Sequence, residues 1–489
     1  MQQTLFDMDI KTIDDIGKPA TYKGITSFHK YWGKKPTESI EFFIHNYTKE
    51  NDIVLDPFLG SGLISVEALS KSRKFIGIDV NPFSIEHTHF LLSLPSPDEY
   101  WLAFKTIEKK IKNIILESYN LNDNKIASHF LWDKEVIKSI WLRPDTGRSR
   151  IEREPSEHDY SLFNSFKDYK VRNIRDIVFF TNSRINSKPN MSLYDIFTNR
   201  ALRNMDLIID AIKLFPEKVQ RALLLTLTSS SGQMSNMVFA ITGRGKTTSK
   251  VSTKIEVGSW VIGFWRPELH FEINVWNCFE SRANKLHKAL YSVDTKQYSI
   301  TDSISDIFQN GKRAAIVNAN CLKLMENIPD RSIKLICTDP PHSDRIPYLE
   351  LSEIWNAILN KNVSFNDEII FSNAKERNKK KINYIDDMKS LLKESCRILS
   401  EDGLFLLYYN ARDKESWRFM ELLETSSDLV FAGAFPMEYS ANSVVQDNRK
   451  GGMKTDYVIV MKHKTSNVLD SHELGSLNGW VDKIPKIEE

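Results

Sequence analysis

The sequence predicts an α/β protein: a doubly wound, mostly parallel sheet with a long second region inserted part-way along. Three observations carry this. Between residues 52 and 91, two apolar runs that each end in an acid flank a glycine-rich turn and a helix-like stretch. The same alternation of strand and helix resumes after Phe308. From about Asp98 to Phe308 the composition shifts toward Arg, Lys, Ser, Asn and Trp.

The elements follow in order. DIVLDPF is a short buried strand running into a turn, GSGLISVEALS begins with glycines and becomes a helix, and KFIGIDVNP is a second strand, together one βαβ unit. In the insert, YWLAFKTIEKKIKNIILESY and ALRNMDLIIDAIKLF have helical periodicity, so a largely helical second domain is expected. The polar stretch between them shows little apolar period. Later, RAAIVNANCLKLM and IKLICTDPPH are strands, IDDMKSLLKESCRILS is a helix, DGLFLLYYN a strand and KESWRFMELLETSS a helix. DLVFAGAFPMEY and TDYVIVMKHK close the sheet as an antiparallel pair. The expected division is 1–97, first part of the sheet domain; 98–308, insert; 309–466, second part; 467–489, tail.

Composition sets bounds. A chain of 489 residues exceeds one typical core. Its 41% hydrophobic and 27% charged content is that of an ordinary globular protein. Lys and Arg number 66 against 64 acids, so any basic surface is local. Cys278, Cys321, Cys337 and Cys396 form no C-x-x-C pair, which predicts free thiols in a reducing compartment and no zinc site. No signal-peptide pattern opens the chain, and no run approaches the ~18 apolar residues of a membrane span. The cytoplasm is the expected location, with no membrane partner.

Two motifs lie in the first half. In Asp56-Pro57-Phe58-Leu59-Gly60-Ser61-Gly62, glycines between strand and helix let the backbone approach a ligand closely. A lone G-x-G is weak, because many turns share it. Asp79, in Gly77-Ile78-Asp79-Val80-Asn81-Pro82, ends the next strand, where an acid accepts hydrogen bonds from ribose hydroxyls. Together they indicate a nucleoside cofactor. The third motif ends the strand at 333–336: Asp339-Pro340-Pro341-His342. Each proline fixes its φ and removes an N–H, so the loop is stiff and extended. It holds a carboxylate, the Pro340 carbonyl and a flat ring at the strand's carboxyl end, where open α/β sheets bind ligands. For a lone D-P-P, a strand terminator with a capping carboxylate is the simpler account.

The set DPFLGSG, GIDVNP and TDPPH resembles the S-adenosylmethionine-dependent amino-group DNA methyltransferases, which modify adenine N6 or cytosine N4. The resemblance covers roughly residues 20–95 and 310–465. It implies a Rossmann-like, seven-stranded methyltransferase sheet and S-adenosyl-L-methionine as cofactor. The glycine loop would meet the cofactor's methionine half, Asp79 its ribose, and Asp339, Pro340, Pro341 and His342 the target amine. His29-Lys30-Tyr31-Trp32-Gly33-Lys34-Lys35-Pro36 resembles the family's H-x-x-x-x-K-P element, which would place His29, Tyr31, Trp32, Lys34 and Pro36 along the cofactor, with Val80 and Asn81 beside the ribose acid. Two residues depart from the pattern. His342 stands where an aromatic, usually Tyr, is the rule; imidazole can still stack, donate or carry charge. Asn320 stands near where the family often has an acid reading the cofactor's adenine. The motif order, cofactor loop first and D-P-P last, resembles the arrangement with target recognition inserted between them.

An exocyclic amine is a poor nucleophile because its lone pair is delocalised into the ring. Two acceptors on its N–H groups, the Asp339 carboxylate and the Pro340 carbonyl, favour a localised lone pair, so positioning and electrostatics do most of the chemistry. The base must leave the duplex and stack on the side chain after the prolines. Arg345 and Tyr348 are candidate walls of that pocket; Tyr348 reads equally as a core aromatic, and Trp355 reads better as core. Lys375 to Lys381, KERNKKK, is a basic run that ends in Lys379, Lys380 and Lys381 and is either a solvated loop or a phosphate contact. In the insert, Arg244, Lys246, Lys250, Arg266 and Arg282 are candidates for DNA contact, and Asn274 and Asn236 are polar residues in apolar settings. The expected partner is double-stranded DNA, with a cognate restriction endonuclease or defence partner. The alternatives are a cytosine-N4 enzyme, an RNA methyltransferase, and a catalytically silent nucleic-acid-binding subunit.

Overall fold

The structure, a computed structural model, describes residues 22–121, 125–142, 150–242, 255–260, 263–293, 296–341, 346–409, 427–438, 455–466 and 468. The first part runs α1 (Thr37–Tyr47), β1 (Ile53–Asp56), α2 (Leu63–Ser70), β2 (Lys74–Asp79) and α3 (Pro82–Leu92). Next come α4 (Pro97–Glu117), β3 (Ala127–Asp133), β4 (Val136–Leu142), β5 (Ile151–Arg153), α5 (Glu157–Asn164), α6 (Leu193–Ile196), α7 (Asn199–Ile212), α8 (Glu217–Met234), β6 (Val238–Thr242), β7 (Ile255–Trp260), β8 (Leu269–Ile273) and α9 (Val275–Leu290). The last part holds β9 (Ile300–Thr301), α10 (Ser305–Gln309), β10 (Ala314–Asn318), α11 (Cys321–Met325), β11 (Ile333–Thr338), α12 (Tyr348–Ile358), α13 (Lys381–Ile398), β12 (Leu399–Tyr409), β13 (Leu429–Glu438) and β14 (Thr455–His463).

The main sheet has the order β13–β14–β12–β11–β1–β2–β10–β9, with β14 antiparallel to both its neighbours and the other pairings parallel. It therefore has eight strands among the described residues, not the seven expected. The extra one is β9, a two-residue edge strand held by Ala314 and Ala315. Its central strands alternate sides: Val54, Phe75, Ile316 and Leu335 pack with α1, α2 and α3, while Leu55, Ile76, Ala315 and Ile336 pack with α11 and α13. Period-two alternation in continuous apolar runs is what a sheet covered on both faces requires.

The region after α3 differs from the expected helical one. Its helices α4, α7, α8 and α9 share the space with a six-stranded sheet of order β5–β4–β3–β8–β6–β7, antiparallel throughout. α4 starts as its sequence dictates: Pro97 stands at N1 and Ser96 and Glu99 form a reciprocal capping box. Arg200 of α7 and Glu272 of β8 make a bidentate ion pair at 2.9 Å for both contacts, both fully buried, with the guanidinium over the Tyr119 and Phe130 rings. Asn274 caps α9, accepting from Trp276 N–H at 3.0 Å and donating to the Ala127 carbonyl at 3.0 Å. It is a buried structural amide, not a wall of the cofactor cavity. One apolar core runs from α3 through α4, α7, α8 and α9 to α12.

That continuity fixes α12, the helix that follows the D-P-P loop. Glu353 takes both guanidinium arms of Arg175, at 2.6 and 2.8 Å. Glu350 accepts from Asn182 at 3.0 Å and pairs with Arg377 at 3.1 Å. Ion pairs this buried act chiefly as geometric constraints, because desolvation offsets most of their attraction.

Candidate active site

Three carboxylates converge at the carboxyl ends of adjacent parallel strands: Asp79 ends β2, Asp56 ends β1 and Asp339 follows β11. The chain reverses direction across the sheet between β1 and β11, and ligands bind at such a switch point. A cavity opens there, of about 860 Å³ with its mouth included.

Most of the residues expected at a cofactor line this one cavity: Tyr31, Trp32, Lys34, Asp56, Pro57, Phe58, Gly60, Ser61, Asp79, Val80, Asn81 and Asn320. Asp339, Pro341 and Tyr348 line it too, and Pro340 is buried beside them. His29, Pro36 and Gly62 stand behind the lining. His29 is buried, with Nδ1–H donating to the Lys30 carbonyl at 2.8 Å and Nε2 lying 3.0 Å from the Thr228 hydroxyl. Burial keeps its imidazole neutral, and it braces its segment against α8. Gly62 has φ +75° and caps α2; a Cβ there would lie 2.3 Å from Thr88 Oγ1. His342 and Arg345, and Arg244, Lys246 and Lys250, lie outside the described residues.

Backbone amides organise the acids. Asp79 accepts from Gly60 N–H at 2.7 Å and from Asn81 N–H at 2.8 Å, one on each oxygen. The Ser84 side chain is a further hydrogen-bond partner, and a carboxylate with about four acceptor sites still has capacity for a hydroxyl. Burial pushes the Asp79 carboxyl up to about 6 against the pull of these bonds. Asp56 accepts from the Thr338 hydroxyl at 2.8 Å and Phe58 N–H at 3.1 Å. Burial, with Asp79 and Asp339 adding repulsion, pushes it up to about 8. Asn81 ties the two halves of the site together: it caps α3, donates to Ser352 at 3.0 Å and accepts from Asn356 at 3.0 Å, both on α12.

Asn320 has local work. Its oxygen accepts from Leu322 N–H at 2.9 Å, capping α11, and its amide donates to the Asp367 carbonyl at 2.8 Å. Tyr348 stacks with Tyr31, ring centroids 6.1 Å apart. Trp355 is core, stacked on Trp32 at 4.7 Å. The basic run divides. Arg377 is buried, paired with Glu350 and Glu368 over the Phe180 and Phe365 rings. Lys379 is half-buried and donates to the Asn366 carbonyl, whereas Lys380 is exposed and Lys381 opens α13. In the region between α3 and β9, Arg266 is paired with Glu135 at 2.9 Å.

Sequence reasoning missed four contributors. Lys35, not Lys34, reaches the D-P-P loop: its Nζ lies 3.2 Å from Asp339 Oδ2 and its side chain is buried near the Tyr408 ring. Lys34 turns the other way and donates to the Thr26 and His29 carbonyls at 2.8 and 2.7 Å. The available signal was that Lys35 directly precedes the proline. Tyr384 of α13 donates to the Pro341 carbonyl at 2.7 Å and fixes the loop. Asp367 and Glu368 bring acid to the cavity rim from a loop with no recognisable motif.

The donor set fits S-adenosylmethionine: a left-handed glycine turn against Tyr31, a strand-end acid held by backbone amides, and a partly apolar cavity. Residues 10–89 match a family described as DNA methylase. That segment is similar to the amino-group DNA methyltransferases. Similar proteins include the Type II methyltransferase M.MjaII of Methanocaldococcus jannaschii, 29% identical over 134 residues, which are 27% of this chain and 23% of that one. M2.LlaDCHI of Lactococcus lactis subsp. cremoris is 50% identical over 54 residues, 10% of this chain and 20% of that protein. M2.DpnII of Streptococcus pneumoniae is 46% identical over 75 residues, 14% of this chain and 27% of that protein. The chain thus spans between a fifth and just over a quarter of these relatives' lengths. Among the described residues no helix is long and apolar enough to cross a membrane, and no acid, His or Cys cluster could hold a metal ion.

Proposed function

We propose that the protein methylates the exocyclic amine of a base flipped out of double-stranded DNA, adenine N6 before cytosine N4, using S-adenosylmethionine. Bound in the cavity, the cofactor supplies an electrophilic methyl group. Asp79 would take its ribose hydroxyls, and Asp56, Phe58, Gly60 and Ser61, with Tyr31 across from them, would hold the rest. Asp339 and the Pro340 carbonyl accept the two amine N–H groups and localise the nitrogen lone pair. Lys35 holds Asp339, and Tyr384 holds the loop through Pro341. His342 is assigned to stack on the base. The preference for adenine rests on the D-P-P opening.

The observation that carries this reading is that Asp339 opens into the same cavity as the Asp79–Gly60 cradle. The relatives' description as Type II methyltransferases supports a place in restriction–modification or phage defence, beside a cognate endonuclease or other defence partner, in the cytoplasm. Asp339→Ala tests the mechanism: transfer should vanish while cofactor affinity by calorimetry is retained. Undiminished transfer in that variant would refute it.

A further inference from the structure

The segment around residues 24–35 has a second side. Residues 31–35 line the cofactor cavity, while Ser27 and Phe28 touch α9, one wall of a wider cleft of about 1,420 Å³, mouth included, that is bounded by β3, β4, β8, α8 and α9. Arg150, Arg282 and Lys285 line this cleft with His129, and no carboxylate does among the described residues. Arg282 and Lys285 stand three residues apart on α9, on one helical face. Among the described residues neither pairs with an acid: Arg282 donates to the Phe28 carbonyl and Lys285 to the Ser27 carbonyl, each at 3.4 Å. Lys34, which lines the cofactor cavity and donates to main-chain carbonyls near the Tyr22 ring, is a third cation close enough to Lys285 to feel its charge. Across the cleft, the Arg150 guanidinium lies 3.8 Å from the Trp141 ring centre, where it also meets Glu152.

Of these cations only Arg150 meets an acid among the described residues, and like charges gathered in this way repel one another. Burial holds Arg282, Lys285 and Lys34 below their usual ranges, and Lys285 is pushed further by Arg282 and Lys34 by Lys285. The chain as a whole carries only +2, so this is local concentration, not general basicity. An external polyanion would relieve the repulsion.

We infer that this cleft is a track for the phosphodiester backbone of duplex DNA, with Arg282 and Lys285 each neutralising a phosphate. The inference rests on the proposed DNA substrate. Its geometry is suited to it: the segment that walls the cofactor cavity also anchors the cations, so a duplex held by its backbone in the cleft is held beside the site where its base reacts.

The test is equilibrium binding of a short labelled DNA duplex to the full chain across a salt series. In wild type, log K falls linearly with log salt, with a slope of about −0.9 per neutralised phosphate. The double variant Arg282→Gln with Lys285→Gln should shallow that slope by about 1.8 and weaken low-salt binding at least tenfold, with S-adenosylmethionine binding unchanged; Arg282→Lys should keep the slope. Should the double variant melt early, Lys285→Gln alone should shallow the slope by about 0.9. An unchanged slope in a folded variant overturns the inference and, if wild type still methylates DNA, leaves the proposed function standing. Single-stranded RNA binding as tightly as duplex, with the same loss in the variants, overturns the assignment to duplex DNA. Wild type that neither binds duplex nor yields a methylated nucleoside defeats both readings.

Discussion

Replacing Lys35 with methionine removes one charge from the active-site floor and leaves an unbranched stem of similar length to fill the space. The ammonium lies 3.2 Å from Asp339 Oδ2, with side-chain exposures of 9% and 21%. At that distance an ion pair is worth about 5 kcal/mol at an effective dielectric of ~20 and about 1.3 kcal/mol in bulk water. The partly exposed carboxylate falls toward the lower end, at about 1.4–2.7 kcal/mol, which is one to two pH units. The sign follows from the charge: an ammonium favours the ionised carboxylate, so without it Asp339 keeps its proton to higher pH. A protonated Asp339 has lost an acceptor for the amine. The acid limb of kcat/KM against pH for DNA methylation should therefore move up by about one to two units in Lys35→Met, with the rate recovering toward wild type above the limb. Lys35→Arg, which keeps the charge, should leave the limb near its original place. An unmoved limb, or a loss equal at every pH in a variant that melts like wild type, would refute the role given to Lys35.

Gly62→Ala puts a Cβ at φ +75° and 2.3 Å from Thr88 Oγ1; the backbone alone costs about 1–2 kcal/mol, so the variant should melt several degrees lower and bind S-adenosylmethionine at least tenfold more weakly, and wild-type values for both would contradict the glycine-loop account. Asp56 has its carboxyl raised to about 8, so the stability it contributes is complete below about pH 4 and is lost as pH climbs toward 8, at up to about 1.4 kcal/mol per unit. Urea unfolding of Asp56→Asn at pH 5 and pH 8 should show a smaller loss between the two than wild type; equal losses would place the shift elsewhere. Arg200→Met strands Glu272 in the core and should cost about 3–5 kcal/mol, while adding Glu272→Leu should recover part of it; a single-variant cost under about 1 kcal/mol would mean that the pair is not holding α7 to β8.

What was legible in the sequence was local. Asp56, Asp79 and Asp339 each sit inside a motif of a few residues, because a strand end, a glycine turn or a double proline is specified by neighbours in the chain. The sheet could be read from those ends. The antiparallel sheet between α3 and β9 was not legible, since its pairings are distant, as in His129 with Ile273, and short half-buried strands such as β7 carry a weak pattern. Lys34 and Lys35 could not be told apart by residue type. The left-handed turn at Gly33 (φ +72°) precedes them, and tertiary packing sends one to main-chain carbonyls and the other to Asp339. Arg377 looked like part of a solvated basic run and is instead a buried hub, because its partners Glu350 and Glu368 come from elements whose proximity no pattern in the sequence announces.

The central claim is that Asp339 and the cofactor cradle together methylate a DNA base. The most direct measurement incubates purified protein and S-adenosylmethionine with genomic DNA from a methylation-deficient host, digests the DNA to nucleosides and analyses them by mass spectrometry. The account predicts N6-methyladenine with wild type and none with Asp339→Ala. Neither N6-methyladenine nor N4-methylcytosine, from protein shown separately to bind the cofactor, would contradict it.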